Sequence, residues 1–176
     1  MALDTLVFHL LNDMAGQSPA LDGAFVFFAS YLGYALIGLF LALAFISRRS
    51  LREKLSFFFI AALSSVTARF GVAEFIRFFY HRPRPFADLS VTQLLATNEW
   101  SFPSGHATFY FALATAVYLY DKKWGIGFFA AAALMGASRV VAGIHYPSDI
   151  ALGALIGVLV AYIIHSVVRN WVTTHS

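Results

Sequence analysis

Arg77, Arg84, Ser104, Gly105, His106, Arg139, His145 and Asp149 are the residues whose types and spacing can do chemistry in this chain. They fall in three patterns: Arg77-x6-Arg84-Pro85, Pro103-Ser104-Gly105-His106 and Ser138-Arg139-x5-His145-x3-Asp149. Guanidinium groups arriving from different backbone directions grip a tetrahedral oxyanion through charge-assisted hydrogen bonds. Ser104 reads as a helix N-cap, and Gly105 leaves its backbone N–H open to close approach by a ligand. The N–H groups and dipole at that helix end favour an anion, and His106 stands in the same first turn. His145 precedes a helix begun by Pro147, and Asp149 in its first turn is close enough to accept the imidazole N–H. A carboxylate holding one ring nitrogen fixes the tautomer and leaves the other nitrogen as nucleophile or base. The set suits the handling of a phosphate group.

Each pattern taken alone has a plainer reading. A basic cluster anchors lipid headgroups, a serine caps a helix, and an aspartate near a helix N-terminus is favoured by the dipole. Three separate caps or anchors would not need to bring two histidines and three arginines to one face. Ionisable residues at the edge of a membrane segment are functional by default.

The elements that must position these residues are apolar. The 176-residue chain is 60% hydrophobic and 12% charged, unlike a soluble domain. Five stretches, 24–47, 55–80, 104–120, 124–142 and 147–168, approach the roughly 20 residues that a helix needs to cross the hydrocarbon. The expectation is all-α: a polytopic transmembrane helix bundle of about five spans, filling a single domain over residues 1–176. Ahead of it, Leu3, Leu6, Val7, Leu10, Leu11 and Met14 fall at helical spacing, with Asp4, His9 and Asp13 off the stripe. That predicts a short amphipathic helix in the interface, and the segment lacks the basic flank and cleavage site of a signal peptide. Pro83 and Pro85 end the second span near Tyr80 and push Arg82 and Arg84 into extended geometry. The chain has no cysteine, which removes disulfides and thiolate metal sites. Its net charge of +3 is small and reflects loop charge, so no nucleic-acid partner is expected.

Loop charge sets the orientation. Arg48, Arg49, Arg52, Lys54, Lys122, Lys123 and Arg169 share one side of the expected bundle, which reads as cytoplasmic. Arg77, Arg82, Arg84 and Arg139 fall on the other side and oppose the rule, but they lie in or beside the patterns, where a ligand explains them. All three patterns therefore land on the outer face. Inside the second span, Arg69 and Glu74 are costly unless paired, and Glu74 can pair with Arg77 three residues on; a supporting role behind the site is expected. His81 and Arg82 rank below Arg84 as headgroup contacts, and His9, His165 and His175 read as interface or tail residues.

The three patterns resemble the signature of the type 2 phosphatidic acid phosphatase family, the lipid-phosphate phosphatases that share their site with vanadium haloperoxidases. That signature reads Lys-x6-Arg-Pro, Pro-Ser-Gly-His and Ser-Arg-x5-His-x3-Asp. The match runs over residues 77–149 at full spacing, with Arg77 in place of the lysine. Among family members, the short loops look most like bacterial undecaprenyl-diphosphate phosphatases. The resemblance implies a cofactor-free, metal-free hydrolase of a lipid phosphate or diphosphate in the bacterial plasma membrane, working through a phosphohistidine. On that pattern His145 attacks phosphorus, Asp149 orients it, and His106 protonates the leaving oxygen. Arg77, Arg84, Arg139, the Ser104 hydroxyl and the Gly105 N–H hold the equatorial oxygens. Phosphatidylglycerophosphate, phosphatidate and lipid A phosphatases share these patterns. A proton-coupled transporter is the rival of another class, opposed by spans that are not interrupted in matching positions.

The charge argument makes a direct prediction. In intact cells, a reagent that cannot cross membranes should label a cysteine placed at Thr97 and miss one placed at Ser50. The reverse pattern would mean that the motif arginines set the topology.

Overall fold

A computed structural model describes residues 2–47 and 49–174, so Arg48 and His175 lie outside the described residues. Helix α1, Ala2–Asn12, leads. Ser18 then caps a long helix, α2, by accepting the Leu21 N–H at 3.3 Å, with Pro19 in the first position. Helix α2 runs Pro19–Ile46, and its turn Phe27–Tyr31 is π-helical. Ser50 and Glu53 form a capping box at the start of α3, Leu51–Phe79. These two caps start both helices earlier than apolar character alone predicts. The Ser50–Glu53 box also places Arg52 and Lys54 in the first turn of α3 instead of in a loop. A second π-helical segment, Thr67–Ala73, lies inside α3. The chain leaves the helix at Tyr80, as Pro83 and Pro85 require, and Pro85 opens a single turn, α4, Pro85–Asp88.

Three more helices complete the fold: α5, Gly105–Tyr120; α6, Lys122–Val141; and α7, Pro147–Thr174. No strand occurs among the described residues. Four of the five expected spans, in α2, α3, α6 and α7, are long and apolar enough to cross a membrane. The fifth, α5, has 16 residues. At 1.5 Å per residue it is about 24 Å long, less than the roughly 30 Å hydrocarbon. It is the central helix, packed against α7, α6 and α3. Its buried face, Leu113, Ala114, Ala116 and Val117, meets Leu36 and Phe40 of α2, Phe57 and Ala61 of α3, and Phe128 and Met135 of α6.

Small residues let α5 and α7 approach closely. Gly153 and Gly157 lie one small-xxx-small step apart, and a Cβ on Gly157 would collide with Thr108 O and Ala112 N of α5. This close approach brings the start of α5 to the start of α7, where the Ser104 N–H donates to Asp149 O at 3.1 Å.

Helix α1 lies against the bundle with two distinct faces. Leu3, Leu6 and Leu10 are exposed, while Phe8 is fully buried against Val140 and Tyr146. Asn12 clamps two distant segments, donating to Thr92 O and Val141 O, each at 2.8 Å, and accepting the Thr92 N–H at 3.0 Å.

Replacing Gly157 by valine should therefore lower the thermal midpoint in detergent by several degrees, because overpacking costs about 1–3 kcal/mol. Gly127→Ala is the control: nothing lies within 4 Å of the added Cβ, and its midpoint should hold or rise.

Candidate active site

The three sequence patterns come from six separate places in the fold. Arg77 is in the last turn of α3, Arg84 precedes α4, Ser104 to His106 open α5, and Arg139 closes α6. His145 and Asp149 come from the turn between α6 and α7 and from the first turn of α7. Gly143, at φ +79°, permits the reversal between these helices, a backbone conformation that side-chain-bearing residues resist. These places converge on a cavity of about 130 Å³ lined by Arg69, Arg77, Arg84, Thr97, Glu99, Gly105, His106, Arg139 and His145. Six of the eight candidate residues are thus in its wall. Ser104 and Asp149 are fully buried behind it.

Arg84, His145 and Asp149 stand along one line of contacts. Arg84 Nη1 lies 3.2 Å from His145 Nε2, which makes Nε2 the acceptor and assigns the proton to Nδ1. Nδ1 faces Asp149 Oδ2 at 3.5 Å, long for a hydrogen bond, and finds no aligned partner among the described residues. Contacts of this kind often tighten only around a bound substrate. Burial pushes the His145 imidazole down to about 3 in spite of Asp149, and the Arg139 and Arg84 charges act in the same direction as burial. At neutral pH the ring is uncharged, so Nε2 keeps a lone pair.

Asp149 is held from three sides. Its Oδ2 accepts Ser101 Oγ at 2.5 Å and the Tyr146 N–H at 2.9 Å, and its Oδ1 accepts Arg82 Nη1 at 2.7 Å. Arg82 is engaged within the protein: it bridges Asp149, Ser148 Oγ at 2.7 Å and Asp4 Oδ2 at 2.7 Å, with its guanidinium over the Tyr146 ring. Asp4 also accepts the Ser148 N–H at 2.9 Å, so α1 is tied to the start of α7.

The guanidiniums are held by the backbone as much as by acids. Arg84 donates to Glu99 O at 2.5 Å, Ile144 O at 2.6 Å and Trp100 O at 3.2 Å. Arg77 donates to Pro103 O at 3.0 Å, to Glu99 Oε2 at 2.7 Å and, as its spacing predicts, to Glu74 Oε1 at 3.1 Å. Arg139 donates to Ala29 O at 2.9 Å, a carbonyl in the π-helical turn of α2. Burial, with Arg77 close by, lowers Arg84 to about 10, so it stays charged at neutral pH. Burial alone would raise Glu99, but its bond to Arg77 and the charges of Arg77, Arg69 and Arg84 hold it below its ordinary value. A neutral imidazole, a second histidine and four guanidiniums facing one small cavity can bind a phosphoryl group and transfer it.

Arg69, expected behind the site from its charge within an apolar span, lines the cavity itself. Sequence patterns alone miss Glu99, which also lines the cavity, and Ser101 and Asp4, which together with Arg82 set Asp149. Glu99 and Ser101 lie in an irregular segment, and Asp4 is 144 positions from Ser148, so no local spacing marks them. Ser104 is at the N-cap, where its Oγ accepts the Ala107 N–H at 3.4 Å. Among the described residues, no group of three or more His, Cys, Asp or Glu side chains could hold a metal ion.

Membrane-crossing helices that bury a histidine–carboxylate pair beneath a cluster of guanidiniums define an integral-membrane phosphatase. The chain belongs to the PAP2 superfamily, which its residues 53–173 match. It is 31% identical over 159 residues to the bacitracin transport permease protein BcrC of Bacillus licheniformis, covering 88% of this chain and 75% of that one. It is 26% identical over 160 residues to the undecaprenyl-diphosphatase BcrC of Bacillus subtilis, covering 89% and 80%. The crystal structure of Aquifex aeolicus LpxE superposes with a TM-score of 0.78 at 31% identity, covering 94% of this chain and 96% of that one.

The bridge from α1 to Asp149 makes a pH-dependent prediction. Burial opposes ionisation of Asp4, but the hydrogen bonds from Arg82 and Ser148 hold its pKa below the ordinary 3.8. A carboxylate lowered by folding contributes its full stabilisation above pH 3.8 and loses it as pH falls through the folded value. Asp4→Asn should therefore lower the thermal midpoint at pH 7, and the gap from wild type should narrow below pH 3.8. A gap independent of pH would show that the charge plays no part.

Proposed function

We propose that this single-domain protein hydrolyses a lipid diphosphate, most consistently undecaprenyl diphosphate to undecaprenyl phosphate and phosphate. On this reading it works in the bacterial plasma membrane, with its site on the extracytoplasmic face. The observation that carries the reading is the cavity itself, where a neutral His145, His106 and four guanidiniums face one another. The similarity to a protein named undecaprenyl-diphosphatase, which extends over most of both chains, supports the choice of lipid. Phosphatidylglycerophosphate, phosphatidate and lipid A remain substrates of the same chemistry.

In the proposed reaction, His145 Nε2 attacks the terminal phosphorus while the bond to the bridging oxygen breaks on the opposite side. Arg84, which now donates to Nε2, transfers that donation to a phosphate oxygen. Arg77, Arg139 and the Gly105 N–H complete the grip as charge shifts onto the equatorial oxygens. Asp149, fixed by Ser101, Tyr146 and Arg82, accepts from Nδ1 and steadies the imidazolium character that develops. Ser104, fully buried behind the cavity with its Oγ accepting the Ala107 N–H, serves by capping α5 and aiming the Gly105 N–H, in place of the direct phosphate contact that the resemblance implies. His106 protonates the departing oxygen and then activates the water that frees phosphate from His145.

Phosphate release by purified protein in detergent and EDTA, across a panel of lipid phosphates and diphosphates, tests the reading. No release from any of them would overturn it and favour the transport role named for the Bacillus licheniformis relative. The two histidines should separate by step. His145→Ala should fail on every substrate and form no phosphoenzyme. His106→Ala should keep more activity on a diphosphate than on a monoester, because a phosphate leaves with less protonation than an alkoxide does. General acid assistance is worth about 10²–10⁴-fold, so the difference is measurable. Equal loss on both substrates would remove His106 from that role.

A further inference from the structure

A second cavity adjoins the first. It measures about 180 Å³ and shares Arg69, Gly105 and His106 with the phosphate cavity; its other walls are Ile37, Phe70, Phe109 and Tyr110. Phe70 is largely exposed on the outer surface of α3, so this apolar groove leads from the histidines toward the lipid-facing side. Arg69 stands at the junction. Its guanidinium lies over Gly105 so closely that a Cβ there would collide with Nε. The π-helical segment Thr67–Ala73 carries it, and π-bulges are frequent at functional sites. Glu74 pairs with its Nη1, and Glu99 Oε2 lies 3.3 Å from its Nη2. Glu99 also holds Arg77 at 2.7 Å, yet its side chain is 58% exposed on an irregular segment.

Resting on the phosphatase reading, we propose that Arg69 selects diphosphates by binding the phosphate that leaves with the lipid. The terminal phosphoryl group sits against His145. An in-line displacement puts its bridging oxygen on the His106 side, and the tail continues into the groove. Whatever lies between the scissile bond and the tail must pass Arg69. In a diphosphate this is the second phosphate; in a monoester it is an uncharged carbon. As the bond between the terminal phosphorus and the bridging oxygen breaks, its electron pair moves onto that oxygen, and the departing lipid phosphate gains charge beside the guanidinium. The incoming anion takes the place of Glu99 on Arg69 and Arg77, while Glu74 keeps Arg69 in position. A charge-assisted contact made only by the diphosphate lowers its barrier selectively.

The test uses the full-length protein in detergent with farnesyl diphosphate and farnesyl monophosphate, reading phosphate release from each. Arg69→Gln should reduce kcat/KM for the diphosphate about tenfold to a hundredfold more than for the monophosphate. Arg69→Lys, which keeps the charge, should restore part of the difference. Independently of turnover, thermal stabilisation by farnesyl methylenediphosphonate should need a correspondingly higher concentration with Arg69→Gln, while stabilisation by inorganic phosphate should shift little. Equal losses on the two substrates, or unchanged binding of the diphosphonate, would reduce Arg69 to a packing role and overturn the proposal. Release from neither substrate, with diphosphonate binding still sensitive to Arg69, would sink the phosphatase reading and leave the diphosphate site standing.

Discussion

Four guanidinium groups facing one cavity of about 130 Å³ repel each other, and the rest of the structure is arranged to hold them there. Arg77, Arg84 and Arg139 are each less than one tenth exposed, which removes most of the water that would otherwise solvate them. Buried charge is tolerated only when its hydrogen bonds are met. Here the backbone meets many of them: Pro103, Ile144, Glu99, Trp100 and Ala29 supply carbonyls. Carbonyl dipoles lower the energy of the cations without cancelling their charge. Full neutralisation by carboxylates would have left nothing to attract an anion. Glu74 and Glu99, both substantially exposed, are the partial exception and balance Arg69 and Arg77 from the rim.

Helix geometry explains how carbonyls come to point at these groups. A regular helix consumes its own carbonyls, so acceptors must come from helix ends, loops or irregular turns. The π-helical turn of α2 provides Ala29 O, and the segments before α5 and before α7 provide the others. The shortness of α5 serves the same end, because its N-terminus stops at Ser104 among its neighbours and exposes N–H groups to the cavity. Gly153 and Gly157 then bring α7 close enough to α5 for the His145–Asp149 pair to stand beside the Ser104–His106 turn. Positive charge, helix dipole and nucleophile thus meet through the packing of two helices.

What the sequence made legible follows from the same physics. Helix ends are where Pro, Gly and capping residues concentrate, and the three patterns lie at helix ends. His106, Arg77 and Arg139 were therefore placed by reading spans alone. Helix starts were read less well, because Ser18 and the Ser50–Glu53 box extend α2 and α3 beyond their apolar runs. The π-helical turns left no recognisable trace, and neither Arg139's acceptor nor the setting of Arg69 could be read without them. The partners of Arg82 are hidden for a different reason. Its place beside a span does not reveal that Asp4, 78 residues away, holds it.

The irregular segment between α4 and α5 joins the two halves of the site, although it carries no periodic signal. Glu99 holds the cations, and Ser101, two residues on, holds the carboxylate behind His145. Thr92, in the same segment, is locked by Asn12 of α1, while Arg82 is locked by Asp4 of the same helix. Helix α1 therefore does more than present leucines outward. Its polar residues fix both the loop that carries the counter-charges and the arginine that orients Asp149. An amphipathic pattern describes only the exposed face of such a helix. Its opposite face is specified by contacts 78 to 144 residues away, which is why periodicity could place the helix but could not assign what it holds.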